Sequence, residues 1–500
     1  GSQNIIISQG TGANVTILPG DTKAVYLDGA GSGAAVVDAF ASLSVVDLRV
    51  DDDLTVTDDA AIGGDLAVTG AAVVDGTINT LGISGSKTNF VNSMLISNDA
   101  GTGTLNAASN NTGFGHQVFN VLTEGDGNTA IGADALSALT TGDNNTGAGL
   151  DVLKANTTGT ENVGVGYNAL VANTTGDNNI GIGANALLAN TTAGNNVAVG
   201  FESLKTVTTG TANVAVGFQA LKTNAADDNT AVGNEALEAN TTGNNNVAVG
   251  SDALGANTTA ANNTAVGAGS LKLNTTGANN TSVGNNSLDA NTTGASNTAL
   301  GYRALSANTT AANNTAVGLD ALLANTTGAG NTAVGTIALD RITTSSNNTA
   351  VGHEALTNMT GGGGNTALGK SAMSAVVTGS NNTAVGYTAL AANTTASNNV
   401  AVGHNSLVAN TTGATNTAVG MGSLQANTTA SDNVGIGHSA LEANTTGAGH
   451  TSIGKNTLKA VTTANYLTAV GSGSGAANTT GSELVAVGRN ALNANTTGDR

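Results

Sequence analysis

The sequence predicts an all-β protein whose main part is a parallel β-solenoid, with one 17-residue coil for each repeat of the sequence. Three observations predict this fold. Gly recurs with a constant period from Gly115 to Gly488, broken only by one shorter step before Gly233. Short runs of β-branched and small residues, such as NVAVG at 246–250, end at that Gly and favour a β-strand. Turn-forming Asn-Thr-Thr-Gly follows, and the period is shorter than the roughly 33 residues of two-helix repeats.

The composition supports stacking of small side chains and excludes several functions. The 500 residues include 70 Gly, one Pro, no Cys, no Trp and only 2% aromatic residues, so the large side chains of ordinary cores are scarce. A formal net charge of −19 with 14 scattered Lys and Arg argues against nucleic-acid binding. No run approaches the ~18 apolar residues of a membrane span. We therefore expect no nucleic-acid partner, no membrane insertion and no thiolate metal site.

The range 111–500 divides into 23 units of equal length, except that the unit at 213–228 is one residue shorter. The consensus N-[TV]-A-V-G-x-x-A-L-x-A-N-T-T-G-x-N defines positions 1 to 17. Position 5 is Gly in every unit and is predicted to be a corner. Position 4 is always apolar and position 9 is Leu in 20 units, so both are predicted to point into the coil. The x-x-A-L-x-A segment is ambiguous between a second strand and a helical turn, with strand favoured.

Position 12 is Asn in 16 units and apolar in the other seven, never charged. This choice predicts a buried Asn whose amide bonds to the amides of the coils above and below. Positions 6, 7 and 10 accept polar and charged residues and are predicted to face water. The predicted ladder residues are Gly115, Gly132, Gly233 and Gly250 at position 5, Leu136, Leu237 and Leu254 at position 9, Val232 and Val249 at position 4, and Asn173, Asn240 and Asn257 at position 12.

The predicted core is thin, because positions 4 and 9 supply only about two sizeable side chains to each coil. Small residues at positions 3, 8 and 11 predict a second close-packed surface on the outside of the coil. Parallel copies of the chain would bury it, and an intertwined or bundled homotrimer fits best. A monomeric solenoid with an Ala-rich core is the alternative. Strands ~4.8 Å apart would make 23 coils a rod on the order of 110 Å long.

Units such as 246–250 (NVAVG) and 433–437 (NVGIG) resemble the head repeats of trimeric autotransporter adhesins. This resemblance implies a left-handed parallel β-roll in a homotrimer. The usual repeat of that family is somewhat shorter. The residues around Leu at position 9 and the NTTG turn are therefore a departure from it.

The range 1–110 differs from the repeats. We interpret 1–50 as a β-rich attachment or cap region and 51–110 as a short β stem, with two similar phrases that begin at Asp53 and Asp65 and a transition to the shaft at 111–500. Two segments resemble tail-fibre proteins of phages of marine bacteria, notably cyanophages. They are TKAVYLDGAGSGAAVVD and DLRVDDDLTVTDDAAIGGDLAVTG, and the NTAVG units follow them. The resemblance implies a virion tail fibre outside the cell, with other tail proteins and a host surface receptor, glycan or protein, as partners. The chain ends in phase with unit 23, which we interpret as a fragment or a processed product.

The sequence offers no catalytic arrangement, and we expect no enzyme activity. His353, His404 and His438 lie at the water-facing position 6, and no Ser–His–Asp set or repeated acid pair is found. We expect no cofactor. The one metal candidate is Ca²⁺ at Asp51, Asp52, Asp53, Asp58 and Asp59, for which solvated turns are the competing interpretation. The leading function is a structural fibre shaft that positions a receptor-binding tip. A bacterial surface adhesin or filament is the alternative, and an ice-binding solenoid or a glycan-cleaving spike are remote ones.

Overall fold

The computed structural model describes residues 4–7, 15–19, 25–27, 36–38, 83–84, 94–96 and 106–499. The chain divides into two compact parts, Gly1–Asp75 and Gly76–Arg500. The described residues of the first part include two antiparallel strand pairs. They are formed by β1 (Ile5–Ile7), β2 (Val15–Ile17), β3 (Val25–Leu27) and β4 (Val36–Asp38). Most of the predicted stem at 51–110 lies outside the described residues.

The described residues of the second part form 25 short strands, one for each of the 23 repeat units and two that precede them. They are β5 (Ile83–Ser84), β6 (Met94–Ile96), β7 (Thr112–Phe114), β8 (Thr129–Ile131), β9 (Thr146–Ala148), β10 (Val163–Val165), β11 (Ile180–Ile182), β12 (Val197–Val199), β13 (Val214–Val216), β14 (Thr230–Val232), β15 (Val247–Val249), β16 (Thr264–Val266), β17 (Thr281–Val283), β18 (Thr298–Leu300), β19 (Thr315–Val317), β20 (Thr332–Val334), β21 (Thr349–Val351), β22 (Thr366–Leu368), β23 (Thr383–Val385), β24 (Val400–Val402), β25 (Thr417–Val419), β26 (Val434–Ile436), β27 (Thr451–Ile453), β28 (Thr468–Val470) and β29 (Val485–Val487).

The strands from β6 to β29 pair in parallel, each with the next in the chain. Equivalent residues lie opposite each other, as Val247 does to Thr264, and the register holds across the short unit, where Val214 lies opposite Thr230. Strand β5 pairs antiparallel with β6 and so begins the stack with a different geometry. The only partner of β29 among the described strands is β28, so the sheet is one face of a solenoid and not a barrel. The predicted all-β parallel β-solenoid, with one coil for each repeat of the sequence, is confirmed.

Backbone hydrogen bonds join each coil to its neighbours around the whole circumference. In coil 2 the amides of Thr129, Leu136 and Thr140 donate to carbonyls of coil 3 at 2.8 to 3.1 Å. The amides of Gly132 and Asn144 donate in the other direction, to carbonyls of coil 1, at 2.8 Å. Strand and turn residues therefore take part alike in the stacking. A coil is held chiefly by its two neighbours, as in other solenoid proteins.

The strand directs its middle residue inward and its two outer residues outward. Position 3, which is Ala, Gly or Ser, is buried, whereas positions 2 and 4 are half-buried or exposed. Val232 and Val249 stack in register on successive strands, but each is 37% exposed. The prediction that position 4 points into the coil is therefore wrong. Alternation allows only one parity inside a three-residue strand, and the inner wall has room only for a small side chain there.

The same geometry corrects the second packing surface predicted on the outside. Positions 3 and 8 line the interior, as Ala231 and Ala236 do in coil 8, both fully buried. They pack against Leu at position 9, which is buried as predicted at Leu136, Leu237 and Leu254. Of the three small positions, only position 11 lies partly on the surface. In most coils the core is thus the Leu at position 9 surrounded by small side chains.

The segment between the Gly corner and position 12 is a series of turns, and the prediction of a second strand is wrong. Residues at positions 7 and 9 have left-handed backbone conformations, with φ of 54° at Glu235 and 52° at Leu237. Single left-handed residues bend the chain sharply, and the interior is only one Leu wide. The amide of Asn240 then donates to the carbonyl of Leu237 at 3.1 Å and closes a turn. No helix occurs in the part of the chain that the structure describes.

Gly at position 5 forms the predicted corner. Its φ lies between 119° and 147° in the 23 coils, a range that L-residues rarely adopt. At Gly250 a Cβ atom would lie 2.6 Å from the carbonyl carbon of Gly267 in the next coil. Conformation and close approach between coils therefore both require Gly at this position.

Candidate functional site

Position 12 carries a buried column of Asn side chains. Asn173, Asn240 and Asn257 are fully buried. The Nδ2 of Asn173 donates to the Oδ1 of Asn156 in the preceding coil at 2.9 Å, and Asn257 donates to Asn240 at the same distance. The amide stacking predicted for these residues is therefore present. Each Asn thereby satisfies part of the hydrogen-bonding capacity of its neighbour within the buried core.

A second Asn column at position 1 was missed by the sequence analysis. In Asn128 the backbone amide donates to the Oδ1 of Asn111 at 2.8 Å and the Nδ2 donates to the same oxygen at 3.1 Å. Asn occupies position 1 in the first 20 units, and His450, Leu467 and Leu484 replace it in the last three. The missed signal is that Asn gives way there to His and Leu but never to Asp, Lys or Glu, the same exclusion that identified position 12.

In many of the coils that have Asn at both positions, the two Asn side chains converge on one backbone carbonyl. In coil 4 the Nδ2 atoms of Asn162 and Asn173 donate to the carbonyl of Gly176 at 2.8 and 3.0 Å. Gly176 is at position 15, in the Asn-Thr-Thr-Gly turn, and this carbonyl faces the interior. A buried carbonyl without a partner would be costly. The Asn side chains therefore allow a polar turn to close the coil without water.

The position 12 column is interrupted, and three of the interruptions leave an unpaired oxygen. The Oδ1 atoms of Asn190, Asn325 and Asn444 are buried without a hydrogen-bond partner. In the next coil the equivalent residues are Val207, Ile342 and Val461, which cannot donate. Buried acceptors of this kind cost about 1–3 kcal/mol each. These junctions are weak points of the core.

His450 occupies the place of Asn at position 1 of coil 21 and is 1% exposed. Its Nδ1 accepts the backbone amide of Leu467 at 3.2 Å, and its own amide donates to the Oδ1 of Asn433 at 3.0 Å. The neutral ring must then carry its proton on Nε2. That atom has no well-formed hydrogen bond, although the neighbouring Ala464 carbonyl slightly favours the charged form. Burial lowers the pKa of His450 to about 4, so the ring is neutral at pH 7.

The outer face of the sheet presents two side-chain columns to solvent. Position 2 is Thr or a β-branched apolar residue, and position 4 is apolar in every coil. Several position 4 side chains are more than a third exposed. They are Phe114, Ile131, Val165, Ile182, Val232, Val249, Leu300, Leu368, Ile436, Ile453, Val470 and Val487. A continuous apolar column of this length is unusual on a surface that faces water.

Position 6, just past the Gly corner, adds exposed aromatic residues beside this face. Tyr167, Phe201, Phe218, Tyr302 and Tyr387 are 43% to 51% exposed. The rings of Phe201 and Phe218 stack in adjacent coils with centroids 5.5 Å apart. The corner thus widens the apolar face in some coils only.

Polar side chains at positions 7 and 10 form ion pairs within and between coils. Lys154 contacts Asp134 at 2.9 Å and Asp151 at 2.8 Å. The hydrogen bond from Lys154 lowers the pKa of Asp134. Arg303 makes two hydrogen bonds to Asp320, at 2.7 and 2.8 Å. Each of these surface pairs contributes little stability, and together they show which side of the rod is exposed to solvent.

A groove of about 660 Å³ lies on the outside of coils 18–22. Its floor is the Ala column at position 11 and its wall is position 10, where Lys459 and Glu442 pair at 3.2 Å. One ion pair above a stripe of Ala does not specify a ligand.

The His side chains other than His450 lie on the surface of the shaft. His116, His353, His404 and His438 are exposed at position 6, and His116 lies 3.6 Å from Asp134. No group of three His, Asp or Glu side chains within the described residues could hold a metal ion. The five Asp residues proposed for Ca²⁺ lie outside the described residues. No helix long and apolar enough to cross a bilayer occurs in the described part of the chain.

Comparison with known proteins gives no relative. No protein-family model matches the chain. No curated protein and no solved structure shows significant similarity to it. The columns described above are therefore the basis for any functional conclusion.

Proposed function

We propose that the chain is the shaft of a homotrimeric attachment fibre, of the kind found in phage tails, which holds a host-receptor-binding tip away from the particle. The observation that carries this proposal is the apolar outer face, which continues along 23 stacked coils. A monomer would leave this face in water. A bundle of parallel copies would cover it.

Copies of the same chain are the partner that fits this face best. Two identical rods share one repeat distance, so a contact made in one coil recurs in the next. A strand of three residues spans about 10 Å, and 23 coils at ~4.8 Å give roughly 1,100 Å² of face per copy. A stable protein interface needs about 800 Å² per partner. The face is therefore large enough for stable association.

The internal structure supports a mechanical role. Each coil is bonded to the next by backbone amides around its circumference and by the Asn columns inside. Such a rod would hold a tip at a fixed distance from the particle, and this role needs no catalytic centre. A bacterial surface adhesin would need the same shaft. The resemblance of residues 22–70 to tail-fibre proteins favours a phage fibre over a bacterial adhesin.

The test is the mass and shape of the full chain in solution. Light scattering should give three chains per particle, and electron microscopy should show a rod on the order of 110 Å for the shaft. V249D combined with V470D should dissociate the particle, because two side chains that are each 37% exposed in a single copy would be buried as charges in the bundle. V171D combined with A391D, at position 10, is the matched control and should remain trimeric. A parent protein that is monomeric at micromolar concentration would refute the proposal.

A further inference from the structure

Four consecutive coils differ from the rest of the rod at two outward positions at once, positions 2 and 6. Coils 4–7 carry apolar residues at position 2, large apolar residues at position 4, and three aromatic residues and one Ala at position 6. We call this set the register patch. It consists of Val163, Ile180, Val197 and Val214 at position 2, Val165, Ile182, Val199 and Val216 at position 4, and Tyr167, Ala184, Phe201 and Phe218 at position 6.

The neighbouring coils show how localised this patch is. Position 2 is Thr in all eight coils from Thr264 to Thr383. Outside the patch, an apolar residue at position 2 occurs only in single, separated coils, at Val247, Val400, Val434 and Val485. Phe or Tyr at position 6 of two adjacent coils occurs only at Phe201 and Phe218. Two columns therefore change together in one place, on either side of the apolar column at position 4.

A polar network at the next position along the chain borders the aromatic pair of the patch. Glu202 follows Phe201 and pairs with Lys205 at 2.6 Å. Gln219 follows Phe218 and donates to Glu202 at 2.9 Å. Lys222 extends the network to Glu238 at 3.3 Å. An apolar centre with a paired polar rim is the usual anatomy of a protein interface.

A uniform repeat creates a problem that such a patch would solve. Two identical rods could slip by one coil, about 4.8 Å, and lose the contacts of only one coil in 23. Register is weakly specified wherever the contacting face repeats. A patch that occurs once makes the aligned arrangement distinct, because only then does every patch residue meet its own equivalent. In a fully overlapped antiparallel pair, coils 4–7 would face coils 17–20, two of which carry Thr at position 2.

We propose that the register patch is a self-recognition site, at which coils 4–7 of each copy pack against coils 4–7 of another and fix a parallel, unshifted alignment. This inference rests on the proposed fibre and names the partner of that face, a second copy, and the coils that decide the alignment. At position 2, Val has a methyl group and Ile an ethyl group in place of the Thr hydroxyl, so the patch buries more apolar surface on contact than neighbouring coils. Phe201 and Phe218 extend the contact past the corner.

The experiment uses the absence of Cys from the chain. Full-length copies carrying V317C are co-assembled with copies carrying V334C, which places reporters at position 4 of adjacent coils, far from the patch. Aligned copies bring like Cys together, and copies slipped by one coil bring 317 next to 334. Mass spectrometry of oxidised samples gives the ratio of mixed to like disulfides.

The patch variant is V163T/I180T/V197T/V214T. Thr is the commonest residue at position 2, so the coils should still fold. The matched control, V247T/V400T/V434T/V485T, makes the same number of changes outside the patch. We expect the patch variant to raise the mixed fraction at least tenfold, and the control to leave it near the parent value. An equal rise in both variants, or no rise in a patch variant that remains trimeric, overturns the role of the patch. A monomeric parent instead overturns the fibre itself.

Discussion

The interruptions of the position 12 column allow a test of the Asn ladder by addition. In V207N, the new Nδ2 could donate to the orphan Oδ1 of Asn190 and to the carbonyl of Gly210. Asn224 in the following coil could then donate to the new Oδ1. Its Nδ2 now bonds the carbonyl of Ala226, at 2.7 Å. The substitution would join two separate Asn runs into one.

The expected change follows from opposing contributions. Pairing the orphan oxygen regains about 1–3 kcal/mol, and two further hydrogen bonds add about 1 kcal/mol each. Removing the buried Val side chain costs about 1.5–3 kcal/mol. The net expectation is a local stabilisation of about 1 kcal/mol. A polar substitution in a buried apolar position would ordinarily be strongly destabilising, so the sign of the effect is informative.

I342N is the matched control. The preceding coil again has an unpaired oxygen, the Oδ1 of Asn325. In the following coil, however, position 12 is Met359, which cannot donate a hydrogen bond. The new Asn would pair one oxygen and leave its own unpaired, while losing the burial of Ile342, so we expect a local destabilisation of about 2 kcal/mol. Hydrogen exchange of peptides covering coils 5–7 and coils 13–15 measures both, because solenoids unfold locally. If V207N speeds exchange as much as I342N does, the ladder does not stabilise the core.

Three further predictions concern other columns. Because burial lowers the pKa of His450 to about 4 from about 6.5, the unfolded chain binds the extra proton between these values. Stability is then complete above about pH 6.5 and falls by up to about 3 kcal/mol toward pH 4, and H450N should abolish this slope in coils 20–22. G250A should destabilise its coils by about 2 kcal/mol or more in melting, whereas G255A, which has no positive φ, should cost far less. Coil 22, where Gly475 replaces Leu, should exchange faster than coils 20 and 21, and equal rates would refute this expectation.

The sequence predicted the coil, the Gly corner and the Leu column because each depends on one residue type at one position. It did not predict which way the strand faces. Val232 is more apolar than Ala231, so apolarity alone placed Val inside. The available space decides otherwise, since Ala231 meets the inner wall and is fully buried. The restriction of position 3 to Gly, Ala and Ser indicates that its side chain has little space. The sequence analysis placed this crowding on the outside of the coil, whereas it lies in the interior.

The turns between positions 6 and 12 could be predicted only in part. Position 7 is rich in Asn and Asp, which tolerate left-handed conformations, and this indicates a turn. Position 9 gives no such indication, because Leu is not a left-handed residue. Leu237 has a φ of 52° only because the coil must close around it. Its burial offsets this conformational cost, and that balance arises from the whole coil and not from the local sequence.

The distribution of variation locates function on this rod. Inner positions admit few residue types, since each side chain must match the coil above and the coil below. The outward positions are free of that requirement, yet position 4 stays apolar in all 23 coils. Stacking within one chain does not explain an apolar residue that is a third or more exposed in Val232 and Val249. The proposed bundle would explain it, because a face with the same period as the rod is most simply matched by another copy of the chain.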